Sequence, residues 1–192
     1  TFTYEAKSLP YPIDTSYYDN EKHTQADALS VIPFMDEMNY EGLSVSGLSD
    51  GYYGLTIGGE FIGRFTAREL ERGINMALLQ NSPQYKQAMK IRQMNEERWL
   101  KERKMREFYW VEYNLMRKTG MLWACNEAAV DTLRKYRPHD IFLQWNGALW
   151  LQYMHKGIRE DCVNEQQDLV DRIYEQNKPI PLQIEIKKFT DL

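Results

Sequence analysis

Between Gln84 and Thr119 the chain carries neither proline nor glycine, and this stretch constrains the fold more than any other feature of the sequence. Asn81-Ser82-Pro83 opens it, with proline at the first helical position, where no amide hydrogen is needed. Gly120 closes it. The expected element is one long helix over 83–118, or two nearly continuous ones. Its middle, Asn95 to Glu107, is mostly charged, and Glu97/Lys101 and Glu102/Arg106 stand at i,i+4 in the favourable Glu-first order. That part reads as a solvated, projecting arm. Six basic residues (Arg92, Arg98, Lys101, Arg103, Lys104, Arg106) are interleaved with Glu96, Glu97 and Glu102, which argues against a nucleic-acid face. The end, Phe108 to Tyr113, is apolar on most faces and is expected to be buried.

Upstream, the patterning is β-like. Thr1 to Ala6 alternates polar and apolar residues at period two, the signature of a half-buried strand. A chain that starts directly inside a strand is expected to have been cut from something longer. Pro10, Pro12 and Tyr17 to His23 read as an irregular loop, and Asp27 to Met38 as a short helix kinked or divided by Pro33. Residues 43–65 predict three short antiparallel strands, the last two joined at Gly58-Gly59, a pair suited to a type I′ turn. Thr66-Ala67-Arg68-Glu69 is a capping box, opening a helix expected to run to about Leu79. Downstream, Asn126 caps a helix through Tyr136, ended by Arg137-Pro138, while the segment holding Trp145, Trp150 and Tyr153 has no clear period. Ile158 to Gln176 reads as a last amphipathic helix with Val163, Leu169, Val170 and Ile173 inward. Leu182 to Lys187 alternates, so the chain is expected to finish as a strand near the opening one.

The fold class that follows is α+β: mainly helical, with a small antiparallel hairpin or meander and a long central helix. Residues 1–81 form a β-rich segment with a capped helix, and 82–192 a helical segment ending in a strand, expected as one compact unit. With 43% apolar and 27% charged residues, the chain can bury a core and is not expected to be disordered. The net charge of −4, the pI near 5.5 and the mean hydropathy of −0.64 argue against nucleic-acid partners and against a membrane span. Cys125 and Cys162 cannot make a zinc knuckle or a C-x-x-C redox site. They read as two buried thiols, with a disulfide as the alternative.

One formal catalytic motif is present. Gly47-Leu48-Ser49-Asp50-Gly51 matches G-x-S-x-G, but a nucleophile elbow needs a strand, a strained turn and then a helix. Here the turn feeds a strand, so Ser49 is expected in an ordinary β-turn. His23, His139 and His155 show no metal-binding spacing, and no local pattern selects one of them as a partner for Ser49. The neighbouring acids Glu96/Glu97 and Glu160/Asp161 point about 100° apart on helices and read as solvated faces. Five Trp and 13 Tyr could line a glycan-binding surface, but without geometry the core reading is favoured.

The blocks Gly42 to Leu70, Gly73-Ile74-Asn75-Met76-Ala77, Ser82 to Ala88, Asn95 to Trp99, Asn126 to Tyr136 and Asp171 to Asn177 resemble the C-terminal portion of a subgroup of SGNH (GDSL-like) lipase/acylhydrolases. The resemblance covers most of the chain. It implies a relation to three-layer α/β enzymes that cleave acyl esters, often acetyl groups on carbohydrates. Their nucleophilic serine sits in a G-D-S block, with oxyanion donors from a Gly and an Asn and a D-x-x-H block completing the set. All these blocks would precede Thr1, and neither G-D-S nor D-x-x-H occurs here, so no catalytic residue is carried over. Only the Gly73-Ile74-Asn75 segment is expected near the ester site, making Asn75 a substrate-proximal candidate.

The resulting expectation is a C-terminal accessory segment of an ester hydrolase, inactive alone and without cofactor or metal. Its partner would be the catalytic SGNH half, from the same precursor or a separate chain, with a possible homodimer through helix 83–118. The expected location is extracytoplasmic, periplasmic or secreted. The alternatives are a non-catalytic glycan- or protein-binding module and a serine hydrolase built on Ser49.

Overall fold

The structure is a computed structural model that describes residues 1–16 and 21–189. Tyr17 to Asn20, part of the expected loop, lie outside the described residues. In chain order the elements are β1 (Phe2–Tyr4), a 3-10 turn (Gln25–Ser30), α1 (Phe34–Glu37), β2 (Gly42–Leu43), β3 (Tyr52–Ile57), β4 (Glu60–Thr66), α2 (Ala67–Arg72) and β5 (Ile74–Asn75). A 3-10 turn (Met76–Leu78), α3 (Pro83–Val111), a π turn (Glu112–Met116), α4 (Glu127–Tyr136), a 3-10 turn (Arg137–His139), α5 (Ile141–Tyr153), α6 (Lys156–Gln176) and β6 (Leu182–Lys188) complete the chain. The fold is α+β, mainly helical, with a small antiparallel sheet and a long central helix. No helix among the described residues is long and apolar enough to cross a membrane.

Two compact units divide the chain: unit 1 is Thr1–Arg92 with Glu175–Leu192, and unit 2 is Gln93–Tyr174. Unit 1 is organised by a four-stranded antiparallel sheet in the order β1-β6-β3-β4. The first and last strands are therefore neighbours, with Phe2 opposite Ile184. β3 and β4 turn back at Gly58 (φ +58°) and Gly59 (φ +84°), the two positive angles a type I′ turn demands. Alternation along β3 buries Tyr53, Leu55 and Ile57, which pack with Leu43, Ile62, Met76, Leu182 and Ile184 or with Ala67 and Leu70.

Two expectations for this unit are corrected, the place of β2 and the length of the helix after Thr66. β2 is not part of the meander; it pairs with β5 in a separate two-stranded sheet, Leu43 opposite Ile74. The capping box forms as expected, Glu69 N donating to Thr66 Oγ1 at 3.2 Å and Thr66 N donating to Glu69 Oε2 at 2.6 Å. The helix it opens nevertheless ends at Arg72 rather than Leu79. Gly73 (φ +94°) turns the backbone out of the helix, and Ile74-Asn75 are used as a strand. The 27–38 helix is split completely, with Pro33 standing as the cap of a single-turn α1.

The 11–16 segment is tied to the end of unit 1's share of α3. Tyr85 Oη accepts from Ile13 N at 3.1 Å and donates to Ile13 O at 3.0 Å, and Asp14 pairs with Arg92 at 2.6 Å. The Ser16 amide and the Arg92 guanidinium hold the Asp14 carboxyl down at about 2. A carboxyl depressed in the folded state contributes stability above its ordinary value near 3.8, and that contribution disappears as pH falls through 2. Asp14→Asn should therefore cost about 1 kcal/mol at pH 7, a figure discounted for solvent screening of a part-open pair. Urea titrations of both proteins should converge between about pH 4 and pH 2; a gap that persists at the acid end would refute the assignment.

Unit 2 buries Met105, Phe108, Val111, Leu115, Met116, Ala129, Leu133, Leu143, Trp150, Tyr153, Met154 and Cys162 in one core. The helix from Pro83 continues past Val111 by widening into a π turn, closed by Arg117 N donating to Glu112 O at 2.8 Å. The charged 95–107 stretch is not a free arm: Met105 is buried, Lys101 pairs with Glu165 of α6 at 2.5 Å, and Cys162 Sγ donates to Lys101 O at 3.8 Å. On α6 the inward residues are Cys162 and Leu169, whereas Val163 faces solvent. The unassigned 141–153 segment is a helix. Asp140 Oδ1 accepts from Phe142 N (2.8 Å) and Leu143 N (3.1 Å) to start it, and it buries Leu143, Gly147, Trp150 and Tyr153.

Candidate functional site

Ser49 sits between β2 and β3, in the turn-to-strand context expected, not ahead of a helix. Tyr53, on β3, donates its hydroxyl proton to Ser49 O at 2.9 Å, which leaves the Ser49 hydroxyl to donate to Tyr53 Oη at 3.1 Å. Lys188, opposite Tyr53 on β6, donates Nζ–H to Ser49 Oγ at 2.9 Å. The chain of donation thus runs from lysine to serine to tyrosine to carbonyl. A lysine ammonium offers three donors and no lone pair, so while it donates to Oγ it cannot take the serine's proton, and no imidazole is among the described partners of Ser49. Nucleophilic activation requires the opposite polarity, a base accepting from the hydroxyl.

The cysteines are corrected in part. Cys162 is buried, but Cys125 is exposed, and both are free. Cys125 Sγ lies 3.4 Å from His155 Nδ1, just ahead of α4 and α6. Sequence separation hid this pair. Among the described residues no group of three or more His, Cys, Asp or Glu could hold a metal ion. The aromatic residues also depart from the core reading. Trp150 is fully buried, whereas Trp99, Trp123 and Trp145 are exposed, and Trp110, Phe142 and Trp145 form a row with centroids 5.3 and 5.5 Å apart.

Unit 1 holds a cavity of about 470 Å³ bordered by Tyr4, Glu5, Lys7, Tyr11, Asn39 to Gly42 and Ala77, among others. Its wall is a polar network. Asn75 stands behind it at the end of β5: Oδ1 accepts from Glu41 N (2.9 Å) and Ala77 N (3.0 Å), and Nδ2 donates to Met35 O (2.9 Å) and Asn39 O (3.0 Å). Asn39 clamps the opposite lip, accepting from Tyr11 N at 2.8 Å and donating to Tyr11 O at 2.9 Å. At the base, Tyr4 donates its hydroxyl to Glu41 Oε1 at 2.6 Å, while Glu41 Oε2 is closed from water and has no partner. Burial, with the Glu41 carboxylate adding to it, pushes the Tyr4 phenol up to about 12, so it keeps its proton and stays a donor. Tyr4 and Glu41 escaped the sequence reading because nothing local links residues so far apart in the chain.

No curated protein matches the chain. Residues 89–178 match the diltiazem deacetylase C-terminal helical domain, a range that brackets unit 2. A solved structure, BT4096, a gut microbial diltiazem-metabolizing enzyme, is similar over nearly the whole chain: 37% identity and a TM-score of 0.89, covering 98% of this chain. The same match covers 42% of that enzyme, so this chain spans less than half its length. The family likeness is thus to a C-terminal helical domain, set within a likeness that also takes in the β-rich unit 1.

Proposed function

We propose that this chain is the C-terminal accessory part of an ester hydrolase of the deacetylase type, with the nucleophile, oxyanion donors and base supplied by a catalytic part outside it. The observation that carries the reading is the 98% coverage of this chain by less than half of a diltiazem-metabolizing enzyme. The SGNH character of that catalytic part, an O-acetyl ester as substrate, and a role for the Asn75 region beside the ester site belong to the same proposal. Two local features agree with it. Ser49 is bonded as a link in a network at the paired ends of the central strands β3 and β6, and the Cys125–His155 pair has no described third group that would orient the imidazole.

The test is turnover of p-nitrophenyl acetate by the purified chain. A rate indistinguishable from buffer is expected, with Ser49→Ala making no difference, because binding without an activated nucleophile leaves acyl transfer slow. A rate that Ser49→Ala abolishes would overturn the reading in favour of hydrolysis by this chain itself.

A further inference from the structure

We propose that Cys125 is a site of reversible modification, forming mixed disulfides with small disulfide compounds, with His155 as the acceptor of its proton. Both side chains are exposed, and Cys125 Sγ lies 3.4 Å from His155 Nδ1. The thiolate, not the thiol, attacks sulfur, so an accessible thiol touching an imidazole that can take its proton is the reactive arrangement. The backbone on each side is held. Ala124 packs on the unit 2 core and its amide donates to Met121 O at 2.9 Å, while Asn126 Oδ1 accepts from Ala129 N at 3.0 Å to cap α4. Arg159 donates to the carbonyls of Tyr153 and Met154 at 2.5 and 2.7 Å, which fixes the turn that presents His155 at the head of α6.

The second cysteine is a contrast within the same unit. Cys162 is 4% exposed, its Sγ lies between Lys101 O at 3.8 Å and Gln166 Nε2 at 3.7 Å, and no imidazole is among its described partners. Exchange needs access to the attacking sulfur, which Cys162 lacks. At Cys125 the thiol proton passes to His155 Nδ1 and the sulfur attacks one sulfur of the disulfide. A new S–S bond forms at Cys125 as the old one breaks, and the departing thiolate takes the proton from His155. Cys125 is oxidised and the departing sulfur is reduced, so no other oxidant enters. Such an exchange uses neither an oxyanion hole nor a third group to orient the imidazole, so it does not require an esterase site.

This inference is independent of the hydrolase reading, since no ester enters it. The experiment is incubation of the 192-residue chain with glutathione disulfide at pH 7, followed by intact-mass spectrometry and peptide mapping. One glutathionyl group should enter, at Cys125, and leave again with dithiothreitol. Cys125→Ser should abolish the reaction and Cys162→Ser should leave its rate unchanged. A thiol of ordinary acidity is only about 3% ionised at pH 7, so a proton acceptor in contact adds at most about 30-fold, offset in part by the weaker nucleophilicity of a more acidic thiol. His155→Gln should therefore slow the reaction about tenfold at pH 7, and the two rates should converge near about pH 10, where an exposed thiol ionises unaided. Equal rates at pH 7, a gap that persists at pH 10, or modification of Cys162 as fast as Cys125 would each overturn the proposal. Should the His155 variant fail to fold, N-acetylcysteine serves as the reference: Cys125 should outpace it about tenfold at pH 7, and equal rates would overturn the proposal.

Discussion

Glu112→Ala is expected to lower the stability of unit 2 by about 3–5 kcal/mol, read by urea unfolding followed in the near-ultraviolet circular dichroism of its tryptophans. Glu112 is 1% exposed, and its carboxylate is the acceptor for two donors, Trp150 Nε1 at 2.8 Å and Trp123 N at 2.8 Å. Removing it orphans both N–H groups, each at about 1–3 kcal/mol, and leaves a void in the core. It also releases Trp123, whose φ of +63° is an unfavourable angle for a residue with a Cβ. Glu112→Gln keeps one carbonyl acceptor but sets an amide donor against a donor, so a milder loss of about 1–3 kcal/mol is expected. The decisive measurement is the double variant Glu112→Leu with Trp150→Phe. It should lose less than the sum of its parts, because the phenyl ring no longer carries an N–H needing a partner. Additive losses would show that the carboxylate–indole bond is not what stabilises this core.

Asn75→Ala should cost about 2–4 kcal/mol, since one side chain satisfies two backbone donors and two backbone acceptors from the 35–41 and 77 positions. Asn75→Asp separates the two halves of that role. It keeps the acceptor for Glu41 N and Ala77 N but points an anionic oxygen at the carbonyls of Met35 and Asn39. At pH 7 it should be nearly as damaging as alanine. It should recover when the new carboxyl protonates below about pH 4 and can donate again. Hydrogen exchange at Glu41 and Ala77 is the readout; amides that stay protected in Asn75→Ala would deny Asn75 its part in the cavity wall.

The features legible in the sequence are those with a local cause. The Gly58-Gly59 turn, the Thr66/Glu69 capping box, the Asn126 cap and the strand character of the two chain ends each need only a few adjacent residues or a clear period. What escaped depends on partners distant in sequence. β2 pairs with β5 because Leu43 must reach the same core as Met76, a contact that no alternation within 43–65 reveals. The π turn at Glu112 shifts the inward face of the long helix partway along, which a fixed 3.6-residue period cannot anticipate. α5 carried a readable signal, Asp140 ahead of its first turn, but its exposed Phe142 and Trp145 obscured the buried face. The candidate cavity was the least legible part. Asn75 was singled out by resemblance, whereas Tyr4 and Glu41 meet only once the sheet and the 35–42 segment are folded.

The sheet order has a consequence for synthesis on the ribosome. β6 lies between β1 and β3, yet it is made after all of residues 93–174. At about 5–20 residues per second, the stretch between Ile57 and Leu182 takes roughly 6–25 s to make, and for that time the β3 edge that β6 will occupy waits for its partner. Throughout that interval the nascent chain exposes two unpaired strand edges, the surface on which holdase chaperones and misdirected pairing compete.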